Sequence, residues 1–215
     1  MEIIGNYEGV GHALIKELIT PDLAKAFLAT LQSDLGPGDL PVSQISHVPN
    51  LLKRPTFEML GHHYPPMQFF LWGLTPLMRE ITGRDLLPSY DCFRIYREGD
   101  ICRVHHDRPS SEHGLSLTLD YSDGVEWPLQ MATEPSQPSA AVVDNFGDEH
   151  FVSIAMQVGD AVLYRGVRHR HGRIDPNPND WSAHLFLYWV DRKGPHAHEA
   201  FDRQFPISAT NFRFA

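Results

Sequence analysis

The sixteen residues YREGDICRVHHDRPSS, positions 96–111, decide how the rest of the chain is read. If residues 103–107 run as extended chain, successive side chains alternate between two faces. His105 and Asp107 then share one face and His106 points to the other. An imidazole and a carboxylate side by side on a strand are two metal ligands in want of a third.

The same extended texture recurs through the second half of the chain. SYDCFRIY (89–96), ICRVHHD (101–107), GLSLTLDY (114–121), AAVVDNF (140–146), HFVSIAMQV (150–158), DAVLYRG (160–166) and AHLFLYWVD (183–191) are short apolar or alternating runs. Turn-rich stretches such as ATEPSQPS (132–139) and DPNPND (175–180) separate some of them. Many short strands with tight turns indicate an all-β sandwich or barrel.

The N-terminal part reads differently. Thr20-Pro21 has the N-cap and first-turn signature of a helix, Leu23, Ala26, Phe27, Thr30 and Leu31 follow at helical spacing, and Gly36 closes the run. Residues 37–66 are rich in Pro, Gly and His and read as loop with a short helical piece. A second helix is expected over roughly 67–82, its last part starting at Thr75-Pro76, with Gly83 ending it. The expectation is a mostly β protein, N-terminal helices packed on a C-terminal barrel-like core. No linker divides it, so 1–215 is expected to be one domain: 1–86 helical support and loops, 87–191 the β core, 192–215 a C-terminal tail. The Phe-rich tail is expected to pack on the barrel or to serve as a homodimer contact.

A third ligand is sought in GDAVLYRGVRHRHGR, residues 159–173, where His169 and His171 stand two apart and share a face of any strand there. Thirteen histidines in 215 residues are an excess that agrees weakly with metal chemistry. The formal net charge of −9 disfavours a protein built to grip a nucleic-acid backbone. Two cysteines, Cys92 and Cys102, are too few for a disulfide framework and read as reduced thiols of a cytoplasmic protein. MEIIGNYEGV at the start lacks a basic region followed by an apolar one and does not read as a secretion signal. Apolar runs such as LFLYWV (185–190) are too short to span a bilayer.

The ordered set H-x-D in YREGDICRVHHD, then GDAVLYRG, then a downstream histidine resembles the iron(II)/2-oxoglutarate-dependent oxygenases, in their prolyl-hydroxylase-like branch. The resemblance spans roughly residues 87–191, and LFLYWVD is similar to the family's last core strand. It implies a double-stranded β-helix (jelly-roll or cupin-like) core buttressed by helices. It also implies a facial triad of His105, Asp107 and a second histidine holding Fe(II). The family pattern Tyr-Arg-Gly, four residues, His-x-Arg falls on Tyr164, Arg165, Gly166, His171 and Arg173, which favours His171 over His169. The co-substrates implied are 2-oxoglutarate and O2, with ascorbate as an accessory reductant. The products are succinate, CO2 and an oxidised small molecule or peptide residue. Asp107 occupies the place that halogenating relatives leave to Gly or Ala, so hydroxylation or a related oxidation is expected.

The far carboxylate of 2-oxoglutarate needs a cation. In the family's commonest arrangement a basic residue follows on the next strand, but the corresponding positions here are Asp180, Trp181 and Ser182. Arg173, two residues past His171 and on the same face, is the expected anchor, with His184 as a substitute. Tyr96 is expected to reach the co-substrate. His106 is expected to point off the metal face, Arg108 to pair with Glu112, and Trp127 to be a core residue or a substrate wall. Two other functions fit the same shape: a cupin-like Zn or Ni hydrolase or isomerase, and a non-catalytic binding module.

Overall fold

The computed structural model describes residues 1–42 and 50–203. Its strands are β1 (Glu2–Gly5), β2 (His12–Lys16), β3 (Phe57–Leu60), β4 (Leu86–Arg97), β5 (Cys102–His105), β6 (His113–Tyr121), β7 (Leu129–Ala132), β8 (Phe151–Ile154), β9 (Ala161–Tyr164), β10 (His171–Arg173) and β11 (Trp181–Asp191). Its α-helices are α1 (Tyr7–Val10), α2 (Pro21–Leu35) and α3 (Pro65–Thr82). Short 3₁₀ turns cover Gly61–His63, Pro109–Ser111 and Ala197–Arg203. The strands form a seven-stranded sheet, ordered β1-β2-β9-β6-β11-β4-β3, and a four-stranded sheet, β5-β10-β7-β8. All pairings are antiparallel. This is a double-stranded β-helix with helices on the outside of its larger sheet.

Alternation along β11 shows why the layers form. Ala183, Leu185, Leu187 and Trp189 face outward with Phe93, Leu115, Leu117 and Leu163, and meet Ala24, Leu31, Met67, Leu71 and Met78 of the helices in one core. Each leucine, methionine or phenylalanine among them, fully buried, contributes roughly 1.5–3 kcal/mol. The opposite face sends Phe186 and Tyr188 into the barrel with Cys92 and Tyr96. The expected caps of α2 are present: Thr20 Oγ1 accepts from Leu23 N at 3.3 Å, and Gly36 ends the helix at φ 78°. Leu23 itself is 54% exposed, because the buried stripe runs through Ala24 and Leu31 instead.

Four features differ from the sequence expectation. β1, β2 and β3 lie in the region read as helix and loop, and they extend both edges of the larger sheet. α3 is continuous through Pro76. There the Thr75 hydroxyl bonds Leu71 O at 3.0 Å and receives Trp189 Nε1 at 2.9 Å, pinning the turn to the sheet. AAVVDNF is no strand: Val143 makes a single bridge to Val104, and most of the stretch faces solvent with no sheet face to bury. LQMA, singled out by nothing in its sequence, is the fully buried β7.

Among the described residues, no helix is long and apolar enough to cross a membrane. Cys92 and Cys102 are buried free thiols. The Phe-rich tail from 204 onward lies outside the described residues.

Candidate metal centre

His105 closes β5 and His171 opens β10, and the two are direct partners across the smaller sheet. Their rings lie 4.4 Å apart. Asp107 follows β5 by two residues, so its carboxylate comes back to the same face. Its Oδ1 is 3.5 Å from His105 Nε2 and its Oδ2 is 3.5 Å from His171 Nε2. One ligand atom from each of the three lies within 4.8 Å of the others.

Two backbone contacts aim the imidazoles. His105 Nδ1 donates to Arg103 O at 2.8 Å and His171 Nδ1 to His169 O at 3.0 Å. Each ring therefore engages Nδ1 with the backbone and turns Nε2 toward Asp107, the orientation a metal ligand requires. Burial drives the His171 pKa down to about 4, against the pull of Asp107, so the ring is neutral near neutral pH. Burial works the other way on Asp107, but the neighbouring His171, His105 and Arg108 outweigh it and hold its carboxyl below the usual range. Asp107 Oδ2 is buried with no hydrogen-bond partner.

Gly166 makes the carboxylate's position possible. A Cβ built on it would stand 2.0 Å from Asp107 Oδ2. Asp107 N donates to Gly166 O at 2.9 Å, tying the strand end to the turn after β9. The glycine of DAVLYRG thus leaves the space in which the carboxylate sits.

His169 goes elsewhere. Its ring packs on Gly11 and its Nδ1 contacts Ala132 O at 3.1 Å, away from Asp107. His106 is buried, accepts from Ser139 N at Nδ1 and reaches Ser136 Oγ at 2.9 Å through Nε2. Those contacts hold down the 133–139 loop.

The triad borders a cavity of about 250 Å³ that penetrates between the sheets. Arg173 lines its inner part and is only 1% exposed. Its Nη2 donates to Ser116 Oγ at 3.3 Å, its guanidinium lies 5.1 Å from the Trp127 ring, and its Nε has no partner. Asp175, which could have neutralised it, instead accepts from Gln130 at 2.7 Å. Among the described residues no carboxylate pairs with Arg173. Trp127 is buried beside Tyr96 and donates to Asp175 O at 2.7 Å.

A second arginine was not singled out from the sequence. Arg94 sits two residues before Tyr96 on β4, so the alternation that turns Tyr96 inward also turns Arg94 inward. It donates to the Tyr96 hydroxyl at 2.6 Å and pairs with Glu58. His184, its direct partner on β11, is buried, and burial followed by the charges of Arg173 and Arg94 pushes its pKa far down. His184 is therefore neutral, can offer one hydrogen bond, and supplies no counter-charge. At the mouth, Arg108 pairs with Asp202 at 3.0 Å and covers the Tyr90 ring at 4.0 Å. The expected Arg108–Glu112 pair does not form, because Glu112 accepts from Asp191 N at 2.9 Å.

No protein-family model matches the sequence, and no curated protein matches it. Solved structures do match in fold. A prolyl-4-hydroxylase of Pseudomonas putida is 13% identical, over 86% of this chain and 95% of its own, at TM-score 0.61. The epimerase SnoN, solved with Fe3+, alpha ketoglutarate and nogalamycin RO, is 11% identical over 97% and 91%, at TM-score 0.64. HygX of Streptomyces hygroscopicus, solved with nickel, 2-oxoglutarate and hygromycin B, is 10% identical over 87% and 85%, at TM-score 0.63. At such identity the likeness is one of fold: the chain has the double-stranded β-helix architecture of the 2-oxoglutarate-dependent oxygenases.

Proposed function

We propose that the chain is a non-haem iron(II)/2-oxoglutarate-dependent dioxygenase that hydroxylates, or otherwise oxidises, an unactivated C–H bond of a small molecule or a peptide residue. One observation carries this reading. One cavity holds a carboxylate oxygen, Asp107 Oδ2, and a guanidinium nitrogen, Arg173 Nε, that have no hydrogen-bond partner among the described residues. Leaving either so is costly, and a cation at one with a carboxylate at the other satisfies both.

His105 Nε2, Asp107 and His171 Nε2 would hold the metal, leaving open positions on the cavity side. Iron(II) with 2-oxoglutarate and O2 supplies the oxidation, releasing succinate and CO2. The protein's part is orientation and exclusion of water. Arg173 receives the distal carboxylate of the co-substrate, while Arg94, its charge balanced by Glu58, holds the Tyr96 hydroxyl in the same cavity. Neutral His184, paired with Arg94 across the strands, brings no charge that would compete for the anion. Tyr90 and Tyr188, stacked at 4.5 Å, wall the outer cavity with Phe186. Arg173, buried with no carboxylate partner among the described residues, favours the oxygenase over a cupin-like Zn or Ni hydrolase, which has no use for a dicarboxylate anchor, and the His105, Asp107 and His171 set favours it over a non-catalytic module.

The test is anaerobic addition of Fe(II) and 2-oxoglutarate, read as a visible charge-transfer band, followed by succinate release in air. A band and release that both vanish in Asp107→Ala are expected. Tight Zn binding with neither signal would favour the hydrolase.

A further inference from the structure

A second cavity, about 160 Å³, lies where the larger sheet's edge strand β3 gives way to α3. Its most deeply buried carboxylate is Asp91 of β4. That side chain is 2% exposed, its Oδ2 has no hydrogen-bond partner, and no cation pairs with it among the described residues. Gly61 has evidently made room for the carboxylate: a Cβ there would lie 1.7 Å from Asp91 Oδ1. The outer rim is aromatic. Trp72, 55% exposed, stacks on Phe201 at 5.5 Å and 12°. The cavity shares three wall residues with the metal-site cavity: Leu60, Tyr90 and Asp202.

A buried carboxylate without a partner is costly, and a site that keeps one beside a cavity is arranged for a cation from outside. An apolar aromatic rim, Trp72 stacked on Phe201, suits an organic cation better than a strongly hydrated metal ion, which needs several oxygen ligands. We propose that the Asp91 cavity is a subsite for the ammonium group of the substrate, so that the chain acts on an amine-bearing compound whose reacting carbon lies at His105, Asp107 and His171. The second half of this proposal rests on the oxygenase reading; the ammonium site itself does not. Asp91 would act as a specificity-determining residue through a charge-assisted hydrogen bond, while the wall shared by the two cavities, Leu60, Asp202 and the edge of Tyr90, would border the connecting part of the substrate.

The test uses n-butylammonium as the probe, titrated calorimetrically into the full chain at about pH 8, where Asp91 is ionised. Binding in the millimolar range is expected, with n-butanol and N-acetylbutylamine inert. Asp91→Asn should weaken the probe at least about tenfold while still binding Co(II) at the triad, which shows that it folds. His171→Ala should lose Co(II) binding and keep the probe, so failure of the metal centre and failure of the ammonium site are told apart. Should Asp91→Asn not fold, Trp72→Ala, which alters an exposed ring, is expected to weaken the probe severalfold. Equal affinity in either variant, equal binding of the neutral analogues, or displacement of the probe by equimolar K+ would overturn the proposal. The link to catalysis is read with the Fe(II)-loaded protein. Compounds that stimulate succinate release should be amines, with KM raised and kcat little changed in Asp91→Asn. Stimulation by neutral compounds alone would overturn that link.

Discussion

Gly166 and Asp107, fifty-nine positions apart in the sequence, occupy complementary space: the hydrogen on one fits where the carboxylate of the other stands, and a methyl group would be 2.0 Å from Oδ2. Gly166→Ala should therefore displace Asp107 from the two Nε2 atoms without disturbing the sheets, since the clash is with a side chain and not with the core. Metal affinity is expected to fall about 10–100-fold, the scale for disturbing a ligand's support, with an unchanged far-UV spectrum. Calorimetric titration with Co(II) measures it. Unchanged affinity would mean that the carboxylate is not the ligand.

The two histidines of HRHGR should behave oppositely. His171→Ala removes an Nε2 that faces Asp107, and Co(II) affinity should drop more than about 100-fold. His169→Ala removes a ring packed on Gly11, and its backbone carbonyl still receives His171 Nδ1. Metal affinity there should stay within about threefold. A reversed result in the same titration would move the third ligand to position 169.

Arg173→Leu is expected to keep metal binding and to lose the co-substrate. One charge-assisted contact to a buried carboxylate accounts for about 100-fold in affinity, so Kd for 2-oxoglutarate should rise by that order in an anaerobic spectral titration. Arg173→Lys should recover only part of it, because an ammonium cannot reproduce the two-pronged geometry. If Arg94→Met costs more than Arg173→Leu, the principal anchor is on β4.

How much of this was legible beforehand follows from the range of each signal. Period-two alternation places neighbours on one face, so His105 with Asp107 and His171 with Arg173 could be read from adjacent residues. The same rule applied backward from Tyr96 reaches Arg94, a signal present in SYDCFRIY and not used. Register is a different matter. That His171 meets His105, and that Arg94 meets His184, depends on pairing across strands far apart in sequence, which one sequence does not encode locally. β1 is a four-residue edge strand with every side chain exposed, and β2, though it buries Ala13 and Ile15, carries the apolar Leu14 between them, so neither shows a period-two pattern. β7 was missed for the opposite reason: a four-residue run buried on both faces has no alternation to see.

Asp91 gives the protein a characteristic stability profile. Burial raises its pKa to about 7 from an ordinary value of 3.8. The folded state therefore keeps a proton that the unfolded chain has already released between about pH 4 and 7. This contribution is fully present below the unfolded value and is lost as pH climbs through the folded one, to a total on the order of 4 kcal/mol. Among the described residues, the other carboxyl and imidazole side chains lining the same cavity are His62 and Asp202, and both remain in Asp91→Asn. The difference in urea-unfolding free energy between wild type and Asp91→Asn should thus grow in favour of the variant from pH 5 to pH 8. Parallel profiles would show that Asp91 is not the titrating group. Adding n-butylammonium at several times its Kd should narrow the gap at pH 8 and leave it untouched at pH 5, because only the ionised carboxylate has a reason to hold a cation and only the folded wild type presents it in a cavity.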